Sequence, residues 1–160
     1  MKISSIHSSI VALPADEPLA AAAENPNGTR PIVTLEVRTD DGAVGVGATY
    51  FGGALTGTLK SAVDELGALC VGEDPVRVEA VAAKLRAAAG SAGPGGIFNL
   101  AHSALDMALW DLRAKSMNLP LWKLLGGARD RVPTYASGAL MRGLSRDRVA
   151  RAATTLKGAR

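Results

Sequence analysis

The sequence predicts an α+β fold in which a three-stranded antiparallel sheet is followed by a bundle of helices. Three observations carry this. Pro31 to Thr39 alternates cleanly, with Val33, Leu35 and Val37 facing one way and Thr34, Glu36 and Arg38 the other. Asp40-Asp41-Gly42 follows at once as a hairpin turn. From Leu59 onward the apolar period changes to three and four, most clearly between Phe98 and Gly127.

Taken in order, Lys2 to Leu13 reads as the first strand. Pro14 to Arg30 is rich in proline, asparagine and small residues, has no sustained period, and reads as a long loop. The hairpin brings in Val44, Val46 and Ala48, expected to resume the apolar face. Tyr50 to Thr58, with three glycines, reads as a second loop. Leu59, Val63, Leu66 and Cys70 mark a helix that stops near Gly72. Asp74-Pro75 suits an N-cap and first helical position, opening a helix with Val78, Val81, Leu85 and Ala88 inward.

Ser91 to Gly96 is a flexible joint before the helix around which the chain is organised. That helix places Ala101, Leu105, Ala108, Leu109 and Leu112 on one greasy face, with Asp111 and Lys115 four apart on another in the favourable acid-before-base order. Asn118 can end it, Pro120 can open a short helix with Leu121, Trp122, Leu124 and Leu125, and Gly126-Gly127 releases the chain. Val132 to Ser137 then reads as a strand, and Ser145 as the cap of a helix with Val149, Ala153 and Leu156 inward.

The 160 residues are 48% hydrophobic and 21% charged, an ordinary globular composition with material for one core. The net charge of +3 is dispersed and aromatics are only 4%, which argues against a nucleic-acid surface. Cys70 is the single cysteine, so no internal disulfide framework exists and a reduced, cytoplasmic setting is expected. Serines and His7 interrupt any signal-peptide core near the N-terminus, and no stretch approaches a membrane span.

Several chemical signals fail. His7 and His102 have no partners at metal-ligand spacing. Asp106 and Asp111 do not share a helix face and read as helix or domain-junction hydrogen-bond partners. The G-x-x-G-x-G from Gly90 lacks the Lys-Ser/Thr of a phosphate loop, and no G-x-S-x-G exists.

The run A-L-D-M-A-L-W-D-L-R-A-K, then L-P-L-W-K-L-L-G-G, then R-D-R-V-P-T-Y-A-S-G, resembles the mandelate racemase and muconate lactonizing branch of the enolase superfamily. The resemblance extends along the whole chain and is most specific from Ala104 to Tyr135. It implies a capping domain over residues 1–127, with residues 128–160 forming the first β/α unit of a (β/α)8 TIM barrel otherwise absent from this chain. It further implies Mg2+-dependent abstraction of the α-proton of a carboxylate through an enediolate, because that proton is too weakly acidic unless the developing charge is neutralised. The family's three acidic metal ligands lie on the third to fifth barrel strands, and its K-x-K base motif on the second. No two lysines here form K-x-K, so no catalytic or metal residue is expected in this chain.

What the resemblance carries over is a substrate-selecting lid. Its two loops match Pro14–Arg30 and Thr49–Ala54. The candidate substrate-binding residues are Arg30, able to pair with an acid group, Tyr50 and Phe51, and Ser137 at the end of the first barrel strand. The bland alternative is that the two aromatics pack on the sheet and Arg30 is merely solvated. Acid-sugar dehydration is the favoured activity, with racemisation, cycloisomerisation or a non-catalytic remnant acting as an interaction module as alternatives. A small-molecule carboxylate substrate and a homo-oligomer, dimer or octamer, are the expected partners.

Overall fold

The computed structural model describes residues 1–14, 29–50, 54–134 and 145–158, with 14, 155 and 156 described by backbone only. Three strands, β1 (Ile3–Pro14), β2 (Thr29–Thr39) and β3 (Val44–Thr49), form one sheet in the order β1-β2-β3. The helices are α1 (Thr56–Ala68), α2 (Val78–Ala89), α3 (Gly96–Ser116), the short α4 (Leu121–Leu124) and α5 (Arg146–Gly158). The chain divides into two compact units. The first comprises Met1–Val11 with Pro31–Asp130, and the second Ala12–Arg30 with Arg131–Arg160.

In the first unit the β2–β3 hairpin is antiparallel. The turn is held by the Thr39 N–H donating to the Ala43 carbonyl at 3.0 Å and by Gly42 at φ 87°, a left-handed conformation that glycine adopts without strain. Asp41 accepts from the Thr39 hydroxyl, which holds its carboxyl below the usual range. The register pairs Leu35 with Gly47 and Val37 with Gly45. Since Val33, Leu35 and Val37 are buried, so are their cross-strand partners Thr49, Gly47 and Gly45. The expected inner face of β3 is therefore off by one residue, and Val46 is 53% exposed.

The reason is α3. An added Cβ on Gly45 would stand 2.6 Å from Leu112 Cγ, and one on Gly47 would stand 2.9 Å from the Ala104 carbonyl carbon. Helix main chain lies directly on strand main chain there, and only glycine opposite alanine permits that approach. The predicted face of α3 is buried as expected, with Ala104, Phe98 and Ala114 joining it. Leu105, Leu109 and Leu112 meet Leu59 and Val63 of α1, Val78, Val81 and Leu85 of α2, and the β2 valines in one core.

Element boundaries shift in places. Asp74 is not the N-cap of α2: its carboxylate accepts the Val76 N–H at 3.0 Å, closing a turn before the helix begins at Val78. Ala82, not Ala88, completes the buried face of α2. Helix α1 begins at Thr56, inside the expected loop, and Cys70 lies just beyond its end, fully buried. Asn118 ends α3 as expected. It has φ 51°, its N–H reaches the Lys115 carbonyl, and the Leu119 N–H reaches the Ala114 carbonyl, the paired bonds of a Schellman cap. Pro120 opens α4 as expected.

In the second unit, Ser145 Oγ accepts the Arg148 N–H at 3.4 Å at the start of α5. Ala152 is the buried alanine and Ala153 is exposed, one position away from expectation. Val132, Pro133 and Thr134 are not in a strand, and Val132 is 71% exposed. A strand requires a hydrogen-bonded neighbour. The rest of the expected strand, Tyr135 to Ser137, lies outside the described residues.

Candidate functional site

Of the four residues singled out in the sequence, two are described. Arg30 lies in β2, not in a loop as expected, and is exposed. Tyr50 is the residue immediately after β3 and is 67% exposed, so its ring does not pack on the sheet. Phe51 and Ser137 lie outside the described residues, as does most of the expected first loop. Arg30 belongs to the second unit and Tyr50 to the first.

What the first unit specifies is the base from which Tyr50 projects. Val46 donates its N–H to Asp111 Oδ2 at 3.0 Å, and Lys115 Nζ donates to the Val44 carbonyl at 2.8 Å. Asp111 and Lys115 are themselves paired at 2.7 Å. Asp111 is thus the hydrogen-bond partner the sequence suggested, whereas Asp106 acts through charge on His102. The sequence shows the acid–base spacing but not what it grips, because the strand partner is 65 residues away.

Elsewhere in the first unit a cavity of about 760 Å3 opens between α1, α2 and the start of α3, walled by Ala62, Leu66, Leu69, Ala88 and Phe98, with Glu65 at its edge. Its lining is apolar and includes neither Arg30 nor Tyr50, so it does not suit a polyhydroxylated acid. On the face of α1, burial works against the charge of Asp64, but Lys60 at 2.7 Å and the Ser8 hydroxyl hold its carboxyl below the usual range. Glu73 is likewise lowered by the Lys84 ammonium at 2.6 Å. Burial drives the Cys70 thiol up to about 11 and lowers His102. Asp64 and Glu73 are engaged in these ion pairs, and Cys70 is buried in the core. Among the described residues there is no group of three or more His, Cys, Asp or Glu that could hold a metal ion. Among them, too, no helix is long and apolar enough to cross a membrane.

Comparison with known proteins supplies the wider context. The chain is 38% identical over 103 residues to a D-galactonate dehydratase of Klebsiella pneumoniae, covering 64% of this chain and 26% of that protein. It is 37% identical over 110 residues to a 3,6-anhydro-alpha-L-galactonate cycloisomerase of Streptomyces coelicolor, covering 67% and 30%. The crystal structure of L-talarate/galactarate dehydratase from Salmonella typhimurium superposes with a TM-score of 0.83 at 30% identity, covering 98% of this chain and 41% of that one. That enzyme has also been crystallised liganded with Mg and L-lyxarohydroxamate. The chain therefore spans about a quarter of the length of the dehydratase it matches in sequence. Residues 6–126 match the family described as mandelate racemase / muconate lactonizing enzyme, N-terminal domain, and the chain belongs to that family.

Proposed function

We propose that this chain supplies the capping portion of an acid-sugar dehydratase that removes the α-proton of a carboxylate substrate with the help of Mg2+. The observation that carries the reading is its 38% identity to a galactonate dehydratase, together with its likeness to a talarate/galactarate dehydratase structure. In this reading residues 1–127 are the cap and residues 128–160 begin a barrel, and the proton-abstracting groups lie outside the matched stretch.

The described residues hold no metal cluster, so they do not fit a Mg2+ site, and no step through the ion is assigned to them. Their part is recognition. Arg30, with its exposed guanidinium, pairs with a substrate carboxylate, and Tyr50 offers an exposed phenol to substrate hydroxyls. Phe51 and Ser137 are proposed as further substrate-binding residues. A cytoplasmic homo-oligomer, dimer or octamer, belongs to the same proposal and is read by light scattering. A cycloisomerase is the second reading, favoured by the Streptomyces relative at 37% identity.

The test is conversion of galactonate, galactarate and talarate to α-keto acids by protein expressed from its own gene, alongside its intact mass. Keto-acid formation that chelation abolishes supports dehydration. Conversion of an anhydro-sugar acid alone moves the assignment to cycloisomerisation. No conversion by protein with the mass of the 160-residue chain, 16.4 kDa, supports a non-catalytic module instead.

A further inference from the structure

We propose that Asp111 and Lys115 are positioning residues: they clip the edge of β3 to α3 and so fix where Tyr50 projects. The inference rests on the reading of Tyr50 as a substrate-facing residue. Strand β3 is at the sheet edge, with Val46 opposite Glu36 and Val44 opposite Arg38. The Val46 N–H and Val44 carbonyl are bound by helix side chains, so they point away from β2 and would otherwise be bare edge groups.

The dimensions explain why this pair does the work. Four residues of helix rise about 6 Å, and the Val44 carbonyl and Val46 N–H, carried by successive peptide groups, stand about 4–5 Å apart along the strand, a difference that two flexible side chains absorb. An acid and a base four apart on α3 therefore meet an N–H and a carbonyl two apart on β3. The acid must take the donor and the base the acceptor, which is the arrangement found. Gly45 and Gly47, pressed on the α3 main chain at Ala104, Ala108 and Leu112, hold the same strand from its buried face. A slip by one residue would exchange the two faces of β3 and turn the residue after Thr49 the other way. The Lys60–Asp64 pair of α1 has the same spacing and the same 2.7 Å separation, but it meets the Ser8 hydroxyl instead of strand main chain.

The experiment reads Tyr50 directly. Tyr50 and Tyr135 are the two tyrosines, so 3-fluorotyrosine labelling of the full chain yields two fluorine resonances, and Tyr50→Phe assigns them. Amide exchange at Val46 reports the clip itself. Asp111→Ala is expected to speed Val46 exchange about tenfold, the scale of one charge-assisted hydrogen bond, and to move or broaden the Tyr50 resonance. Asp111→Asn keeps an acceptor and stays close to wild type, and Lys60→Met changes neither signal.

Lys115→Met, which keeps the side-chain stem, carries the same expectation for Tyr50 if Asp111→Ala does not fold. An unchanged Tyr50 resonance in a variant whose Val46 amide exchanges freely overturns the proposal, as does unchanged Val46 exchange. Neither readout needs turnover, so a failure of the dehydratase reading is distinguished from a failure of this one. In protein that turns over galactonate, Lys115→Met is expected to raise KM with kcat kept. A fall in kcat at constant KM would overturn the aiming role.

Discussion

Gly47→Ala is expected to destabilise the first unit by about 3 kcal/mol, more than a methyl group on a strand ordinarily does. The new Cβ would stand 2.9 Å from the Ala104 carbonyl carbon and closer still to its oxygen. Carbon atoms pack best at about 3.5–4.0 Å, so α3 must lift from the sheet by roughly 1 Å. The obstructing atoms are helix main chain and cannot rotate aside without breaking the i to i−4 ladder. Overpacking a core costs about 1–3 kcal/mol, and a rigid obstacle puts the value at the top of that range; alanine returns about 0.5–1 kcal/mol by restricting the unfolded chain. Lifting α3 also loosens Leu105, Leu109 and Leu112 against the core, which offsets that return.

For a chain of this length about 3 kcal/mol is a fall in melting temperature of roughly 6–12 °C, read by far-UV circular dichroism. Gly57→Ala, in the first turn of α1 with no atom within 4 Å of the new Cβ, is the control and is expected to be neutral or stabilising. Because the clash is with main chain, adding Ala104→Gly must not rescue Gly47→Ala. A melting temperature within about 2 °C of wild type, or rescue by Ala104→Gly, would refute the interlock of β3 and α3.

Other expectations test the remaining features. Asn118 occupies the left-handed position after α3, so Asn118→Val should lower stability by about 1–2 kcal/mol while Asn118→Gly changes it little, as denaturant melts will show. Burial lowers the pKa of His102 below its ordinary value of about 6.5, so the unfolded chain binds this proton more readily than the folded one. Stability is therefore lost as pH falls through about 6.5 and levels off below the folded value, and His102→Gln should remove that part of the slope on the acid side of about pH 6.5. The lowered carboxyls of Asp64 and Glu73 act in a separate window, their contribution being lost only as pH falls through the acid range below about 4.5. Cys70, buried and with its pKa pushed up to about 11, should resist iodoacetamide at about pH 8 until the chain unfolds, so its labelling rate should rise with denaturant in step with unfolding.

Much of the first unit is legible in the sequence because its signals are local. The alternation of Val33, Leu35 and Val37 and the turn at Gly42 define β2 and the hairpin, and the three-four period from Ala101 to Leu112 defines the buried face of α3. The phase of β3 is misread because V-G-V-G-A shows its valines, whereas the residues that matter are the glycines lying under a helix more than fifty residues away in sequence. Counting the register back from the hairpin would have found them, since Leu35 must face Gly47. Ala82 and Ala152 are missed because alanine carries little apolar signal on either face of a helix. The grip of Asp111 and Lys115 on β3 is invisible for a different reason: their mutual spacing is local, but the main-chain groups they bind are not. Of the candidate substrate residues, Tyr50 is exposed just after β3, and Arg30 lies on a strand where its composition suggested a loop.

The central claim is that the chain caps an enzyme that takes the α-proton from a sugar acid. The measurement that meets it most directly is proton NMR of galactonate and galactarate in D2O with Mg2+ and protein expressed from its own gene. The account predicts that the α-proton signal of at least one substrate disappears, through exchange or turnover, and survives when the metal is chelated. Intact α-proton signals across the panel, with folded protein and Mg2+ present, would contradict it.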